Sequence, residues 1–267
     1  MKALELAYLS ITRKKIASII VLIAIAISVA FSGILLRLYY LSGSRFSTMG
    51  KAGDAIIGAK AGSIEILLDS LNAEGKYPGY LPYKLFQSLR NQNVVHFEDG
   101  TQSQSSYIES IIPVLFFGKF HGYRLMGTDE TFFKRPQASD SLTLQEGSFA
   151  QNIGEAVIGS AVAKKEKLKI GDAVEFSPWT QNGLSDSLLK LKVVGVLNQT
   201  NSTWDRMLYS TVEQAQRVLA AQNIARESIW SADVLNYFFV YLKPGGFSAL
   251  ESLVDRRTVG QVIAVSD

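Results

Sequence analysis

Residues 16–36 form an unbroken run of 21 residues without a charge, and Arg13, Lys14 and Lys15 stand directly before it. A helix of about 20 apolar residues crosses a bilayer, and a basic cluster favours the cytoplasmic side. The pattern therefore predicts a transmembrane helix with the N-terminus in the cytoplasm and everything after about Tyr40 outside it. Before the run, Leu4, Ala7, Tyr8 and Ile11 share one helical face, the spacing of a helix lying along the inner membrane surface. Two other readings compete. Ser28-Val29-Ala30 offers small residues for signal cleavage, although signal h-regions usually hold about 7–15 residues. A buried core helix would carry a polar face, and the run has only Ser18, Ser28 and Ser32 to form one.

Beyond the run, apolar stretches alternate with Gly, Pro and polar punctuation. Residues 41–53 are rich in Ser and Gly and read as the exit from the membrane. Strands are predicted over 54–60, 94–97, 111–117, 123–126, 156–158, 173–176, 189–194, 206–210, 235–242 and 259–265. The strands 111–117 and 123–126 form a hairpin through a loop at 118–122, while 101–106 is a polar loop or edge and 140–147 a turn-rich connection. Helices are predicted over 63–71, 83–90, 161–168, from about 211 through 221, and 247–257. Ser160 is placed as the cap of the third helix, and Ser210 with Glu213 as the capping box of the fourth. The order starts and ends with strand–helix units around a strand-rich middle. The expected fold class is α+β, with one transmembrane helix over residues 1–41 and a mixed α/β domain over 42–267. Within it, residues 42–100 plus about 222–267 would form an α/β subdomain and about 101–221 an inserted β-rich subdomain.

Composition changes this picture little. Hydrophobic residues make up 47% of the 267, enough for a real core outside the membrane. Five of the 27 basic residues (Lys2, Arg13, Lys14, Lys15 and Arg37) flank the apolar run, against one of the 24 acidic residues, Glu5. The outer part is thus nearly neutral, and the pI of about 8.9 reflects topology and not nucleic-acid binding. The chain has no cysteine, which excludes disulfides, thiolate zinc sites and a thiol nucleophile.

The search for chemistry returns mostly negatives. No G-x-x-x-x-G-K-[ST] phosphate loop is present. His96 and His121 are isolated in the sequence. Gly159-Ser160-Ala161 lacks the G-x-S-x-G nucleophile pattern. Glu109, Asp129 and Glu130 match no cation-loop spacing and read as solvated. Trp179, Trp204 and Trp230 read as core or interface residues, with an apolar groove for a lipid or drug as the other use. Asn198-Gln-Thr200 and Asn201-Ser-Thr203 match glycosylation sequons, relevant only to a secreted eukaryotic protein. No catalytic, cofactor-binding or metal-binding residue is predicted, and the chain is not expected to be an enzyme.

Taken in order, several pieces resemble the N-terminal part of a MacB/FtsX-like ABC transporter permease, over essentially the whole chain. They are the amphipathic start, Arg13-Lys-Lys15, Asp54-Ala-Ile-Ile-Gly-Ala-Lys60, Ile112-Pro113, Gly122-Tyr-Arg-Leu-Met-Gly-Thr128, Glu155-Ala-Val-Ile-Gly-Ser160, Leu168-Lys-Ile-Gly-Asp172 and Val193-Val-Gly-Val-Leu197. The resemblance implies a component of the bacterial inner (cytoplasmic) membrane with its main domain periplasmic. It implies a dimer with a second permease copy, and a separate ABC ATPase that binds the ATP, so no cofactor is expected in this chain. It also implies contact with membrane lipid and with a periplasmic adaptor or lipoprotein, and closure of the dimer relayed by long helices. Drugs, peptides, lipoproteins and glycolipids are substrates in the class. Such permeases carry three more membrane helices after this domain. No second apolar run of spanning length follows here, so a truncated permease or a fragment of a longer reading frame is expected. A single-pass binding or sensor protein is the alternative.

Overall fold

The computed structural model describes residues 15–49, 53–60, 66, 79–91, 94–96, 102–104, 106–134, 142–180, 183–222, 233–258 and 260–264. The chain divides into two compact units, Met1–Ser47 and Thr48–Asp267. Helix α1 (Lys15–Met49) contains the apolar run. It continues to Met49, into the Ser- and Gly-rich stretch predicted as the membrane exit, because an established helix gains one hydrogen bond for each residue it adds. The amphipathic start and Trp230 lie outside the described residues. So does the predicted helix 63–71, apart from the buried Ile66.

The outer unit is built on an 11-stranded mixed sheet. One end of it consists of β1 (Ala55–Ala59), β14 (Tyr237–Leu242) and β15 (Gly260–Ala264). Here β1 lies between the other two, antiparallel to both. The long β5 (Ile108–Phe120) pairs with β14 through residues 108–114. It then pairs with β6 (Tyr123–Thr128) through residues 115–120. From β6 the sheet passes through β12 (Met207–Thr211), β8 (Glu155–Ile158) and β11 (Leu189–Leu197) to β9 (Ala173–Thr180). Strand β9 returns to β5 at Gly118↔Pro178 and Lys119↔Ser177. These six strands close into a small barrel, and closure removes their free edges. The short β10 (Gly183–Leu184) extends β9, and β7 (Leu144–Gly147) lies along β11. Two small ribbons complete the strands: β2 (Leu81–Pro82) with β13 (Val234–Leu235), and β3 (Val94–His96) with β4 (Gln102–Gln104).

Strands β1, β6, β14 and the middle of β5 are buried on both faces and read as continuous apolar runs, whereas β9 and the first half of β11 alternate buried with exposed positions. Ile57, Phe117, Phe176, Leu191 and Phe238 belong to one core cluster, while Ile56, Phe116, Tyr209 and Phe239 belong to the other. Adjacent residues such as Phe116 and Phe117 thus serve opposite faces, as the two-residue repeat of a strand requires. The first cluster takes in buried residues of α2 (Tyr83–Asn91), α5 (Val212–Ala221) and α6 (Phe247–Arg257). The second takes in Phe132 and Phe133 of the one-turn helix α3 (Thr131–Lys134), together with Trp204.

Several local predictions shift. The hairpin loop is not 118–122 but the pair His121-Gly122, at φ 45° and 88°, the doubly positive geometry of a two-residue turn. Gly118 stays in the strand. A Cβ there would fall 2.6 Å from the Ser177 carbonyl oxygen and 2.8 Å from the Phe176 ring, so glycine is what lets β9 reach β5. Residues 144–147 are a strand despite their polar composition, since β7 is mostly exposed and shows no apolar alternation.

The helix caps also move. Helix α4 spans Ser160–Glu166 and its cap is Gly159, without a side-chain bond. The Gly159 Cα lies too close to the Asp205 backbone for any Cβ. Ser210 remains in the parallel ladder opposite Gly127, and its hydroxyl donates to the Glu155 carbonyl at 2.6 Å. The cap of α5 is therefore Thr211, whose hydroxyl accepts from the Gln214 N–H at 3.1 Å. The apolar run 235–242 breaks at Asn236, between β13 and β14.

Candidate functional site: the apolar helix and the polar positions of the outer domain

Helix α1 rises about 52 Å at 1.5 Å per residue, more than the roughly 30 Å of a bilayer core. Its apolar window is Ile19–Arg37, 19 residues of mean hydropathy 2.9 with no part buried. A core helix would be buried there. Two hydroxyls within the window are satisfied inside the helix: Ser28 donates to the Ala24 carbonyl and Ser32 to the Ser28 carbonyl, both at 2.9 Å. Neither stands against placement in hydrocarbon.

The polar residues singled out in the sequence do not converge. Ser160 is buried at the first turn of α4. His121 stacks on Phe120 at the hairpin turn, and its Nδ1 lies 2.7 Å from Glu166 Oε2. The backbone of His96 pairs with Gln102 in the β3–β4 ribbon. Asp129 pairs with Arg90 and accepts the Thr131 N–H at 3.1 Å. Glu130 pairs with Lys134 at 2.7 Å. Glu109 lies on β5, apart from these pairs. Among the described residues no group of three or more His, Asp or Glu could hold a metal ion.

Trp204 is buried, 5.2 Å ring to ring from Phe132, and its carbonyl accepts the Tyr209 hydroxyl at 2.8 Å. Burial first, and then the nearby Asp205 charge, push the Tyr209 hydroxyl well above the usual tyrosine range. It is a structural donor and not a proton carrier. Trp179 is half-buried, with the Lys119 ammonium 5.4 Å from its ring centre. The two sequon asparagines lie in one tight loop. Asn198 donates its amide to Thr143 Oγ1 at 2.8 Å, and Asn201 sits at φ 58°. The buried Asp205 carboxylate organises this loop by accepting the N–H groups of Thr200 at 2.9 Å and Asn201 at 2.7 Å.

The segments that carry the family resemblance do structural work. At one end of β1, Asp54 Oδ2 accepts the Leu242 N–H at 2.7 Å. At the other, Lys60 Nζ donates to the carbonyls of Asp255 and Thr258, at 2.8 and 2.6 Å. This places a cation on the orphan carbonyls at the end of α6, where the helix dipole favours it. Asp172 Oδ2 accepts the Lys169 N–H at 2.7 Å, and the Gly171 N–H meets the Val193 carbonyl at 2.8 Å. Partners 198 positions apart, such as Lys60 and Thr258, leave no local signal in the sequence.

Glu155 Oε2 accepts the N–H groups of Gln151 and Asn152, each at 3.0 Å, and Oε1 accepts the Asn152 amide at 2.9 Å. The Asn152 side chain first, then these two N–H groups, hold its carboxyl below the usual range. A depressed folded-state pKa stabilises the fold above the unfolded-state value, and the contribution is lost as pH falls through the folded one. Melting temperature measured from about pH 6 down to pH 3 is expected to fall less steeply in Glu155→Gln than in the native chain, with the curves converging at the acid end.

The MacB-like periplasmic core domain family model matches residues 17–253. A search of curated proteins returns no match. Among solved structures, the extracellular domain of the noncanonic ABC-type transporter YknZ from Gram-positive bacteria is similar at 12% identity and a TM-score of 0.40, covering 78% of this chain and 99% of that one.

Proposed function

Because this chain belongs to the MacB-like periplasmic core domain family, we propose that it is the permease component of an ABC transporter. In this reading α1 crosses the bacterial inner membrane with its N-terminus in the cytoplasm. The outer domain lies in the periplasm, and a separate ATPase binds and hydrolyses ATP inside. The observation that carries the reading is that the match begins at residue 17, within the apolar helix, and runs on through the outer domain to residue 253. Helix and domain are thus parts of one family unit, the layout of a membrane-anchored protein with an extracellular domain.

One helix encloses no lumen, since its hydrogen bonds close on themselves along a single cylinder. Helix α1 therefore acts as a lever or tether and not as a conduit. Its backbone stays helical for twelve residues beyond Arg37, to Met49, and a helix transmits displacement along its axis better than a flexible linker does. A second permease copy pairs with it, and ATP-driven closure of the pair changes the outer domain during export or extraction of a substrate. A periplasmic adaptor or lipoprotein delivers or receives that substrate.

Isolation of the chain from its native membranes in mild detergent tests this reading. A P-loop ATPase is expected to co-isolate in stoichiometric amount, with a second copy of the chain. Recovery of a monomer without an ATPase, from membranes in which the chain is intact, would contradict it.

A further inference from the structure

We propose that β5 carries a hinge at residues 113–118, held shut by the Arg90–Asp129 ion pair. Strand β5 changes partners within this stretch. On one side the β14 ladder ends at Val114↔Tyr237, and β9 does not begin to pair until Gly118↔Pro178. On the other side the β6 ladder stops at Leu115↔Gly127, with a register shift between Phe116 and Gly118.

One backbone bond, from the Asn236 N–H to the Val114 carbonyl at 3.0 Å, and two side chains bridge the gaps. The Phe116 N–H donates to Asn236 Oδ1 at 2.7 Å, and Thr128 Oγ1 donates to the Pro113 carbonyl at 2.8 Å. Pro113 itself has no N–H to give a ladder. Among the described residues no protein acceptor reaches the buried Asn236 Nδ2. Rotation at the joint that brought a carbonyl to Nδ2 would add a hydrogen bond to the opened arrangement.

The segments on either side are better tied than the joint. Strands β1, β14 and β15 form continuous ladders, and α2, which packs along β5, also reaches β14 through Phe86, 5.8 Å from the Phe238 ring. On the other side, the strands are closed as a barrel. Outboard of the joint, Arg90 at the end of α2 meets Asp129, the residue directly after β6. Their side chains are 38% and 22% exposed, so water competes for both and the contact can open. Gln216 Nε2 reaches the Val234 carbonyl only at 3.5 Å. Helix α5 packs on both β5 and β6 and so moves with the barrel.

The hinge belongs to this domain and requires no partner, so its test is separate from that of the transport reading. The chain has no native cysteine, which allows clean spin labelling of the exposed Gln87 on α2 and Lys134 on α3 in the full-length Gln87→Cys/Lys134→Cys protein in detergent. One distance peak is expected with Arg90 present. Arg90→Ala is expected to add a second peak at longer distance, and Arg90→Lys, which keeps the charge and leaves Asp129 to accept the Thr131 N–H, to retain the single peak. Thermal unfolding of each variant confirms that it is folded. A single unchanged peak in folded Arg90→Ala would overturn the hinge, and the same two peaks in folded Arg90→Lys would overturn the latch.

Discussion

Replacement of Ile27 by arginine is expected to prevent stable membrane integration of the chain. Ile27 lies near the middle of the Ile19–Arg37 window and is 64% exposed, so the protein does not shield a charge placed there. At the centre of a spanning helix isoleucine contributes about −0.5 kcal/mol and arginine about +3 kcal/mol, a change of roughly 3–4 kcal/mol. At about 1.4 kcal/mol per factor of ten, the insertion equilibrium constant falls by about two to three orders of magnitude. Ser28 and Ser32 give no relief, because their hydroxyls are already committed to carbonyls one turn back. Sliding the helix so that the introduced guanidinium reached an interface would bring the flanking Lys15 or Arg37 toward the hydrocarbon. Resistance of the chain to alkaline carbonate extraction reads this directly. Ile27→Leu is expected to remain in the membrane pellet and Ile27→Arg to be extracted or degraded, and an arginine variant retained like the native chain would show that the helix is not a span.

The second large effect lies in the barrel. Phe176→Ala is expected to destabilise the outer domain by about 3–5 kcal/mol, the usual range for a buried Phe truncated to Ala. Phe176 is fully buried, and its ring meets Phe117 edge to face at 5.4 Å between centroids. It also covers Gly118, the residue at which β9 closes on β5. Removing the ring leaves a void lined by a glycine and a second aromatic, and strands tied into a closed barrel cannot collapse to fill it. For a domain of this size each kcal/mol lowers the melting temperature by roughly 2–4 °C, so a drop of about 6–20 °C is expected. Near-ultraviolet circular dichroism of the full chain in detergent would follow it. Phe176→Leu keeps most of the volume and is expected to drop less than the Ala variant; an Ala variant that melted with the native chain would mean that the barrel is not closed through this contact.

The strands around Ile57, Phe116 and Phe238 were legible because burial on both faces writes continuous apolar runs, helix 247–257 because its buried Leu250, Leu253 and Val254 recur at helical spacing, and the apolar helix because it is apolar on every side. In those strands burial on both faces concealed the alternation that would have shown which residue serves which core, whereas β9 and β11 keep it. Where composition was polar, the sequence pointed to loops: 144–147 is a strand whose partner lies about 50 residues on, in β11. Gly118 looked like a turn residue, whereas its missing Cβ makes room for Phe176. The shift from Ser210 to Thr211 at the cap of α5 depended on a ladder with β6, beyond the reach of a capping pattern. The functional reading was legible in the order of short segments, yet those segments hold the fold together: Asp54 and Lys60 fix the ends of β1. Arg90, Asp129 and Asn236 gave no signal of their joint position, which arises only when β5 changes neighbours.

The permease reading claims that ATP used in the cytoplasm changes the domain outside. The most direct measurement is hydrogen exchange of the outer domain in the native complex with its ATPase, in reconstituted bilayers, with and without ATP trapped at the transition state. The account predicts altered exchange in the outer domain, greatest around residues 113–118 of β5, and no such change when the ATPase is replaced by a variant that cannot bind ATP. Exchange identical in the two nucleotide states, from a complex that hydrolyses ATP, would contradict it.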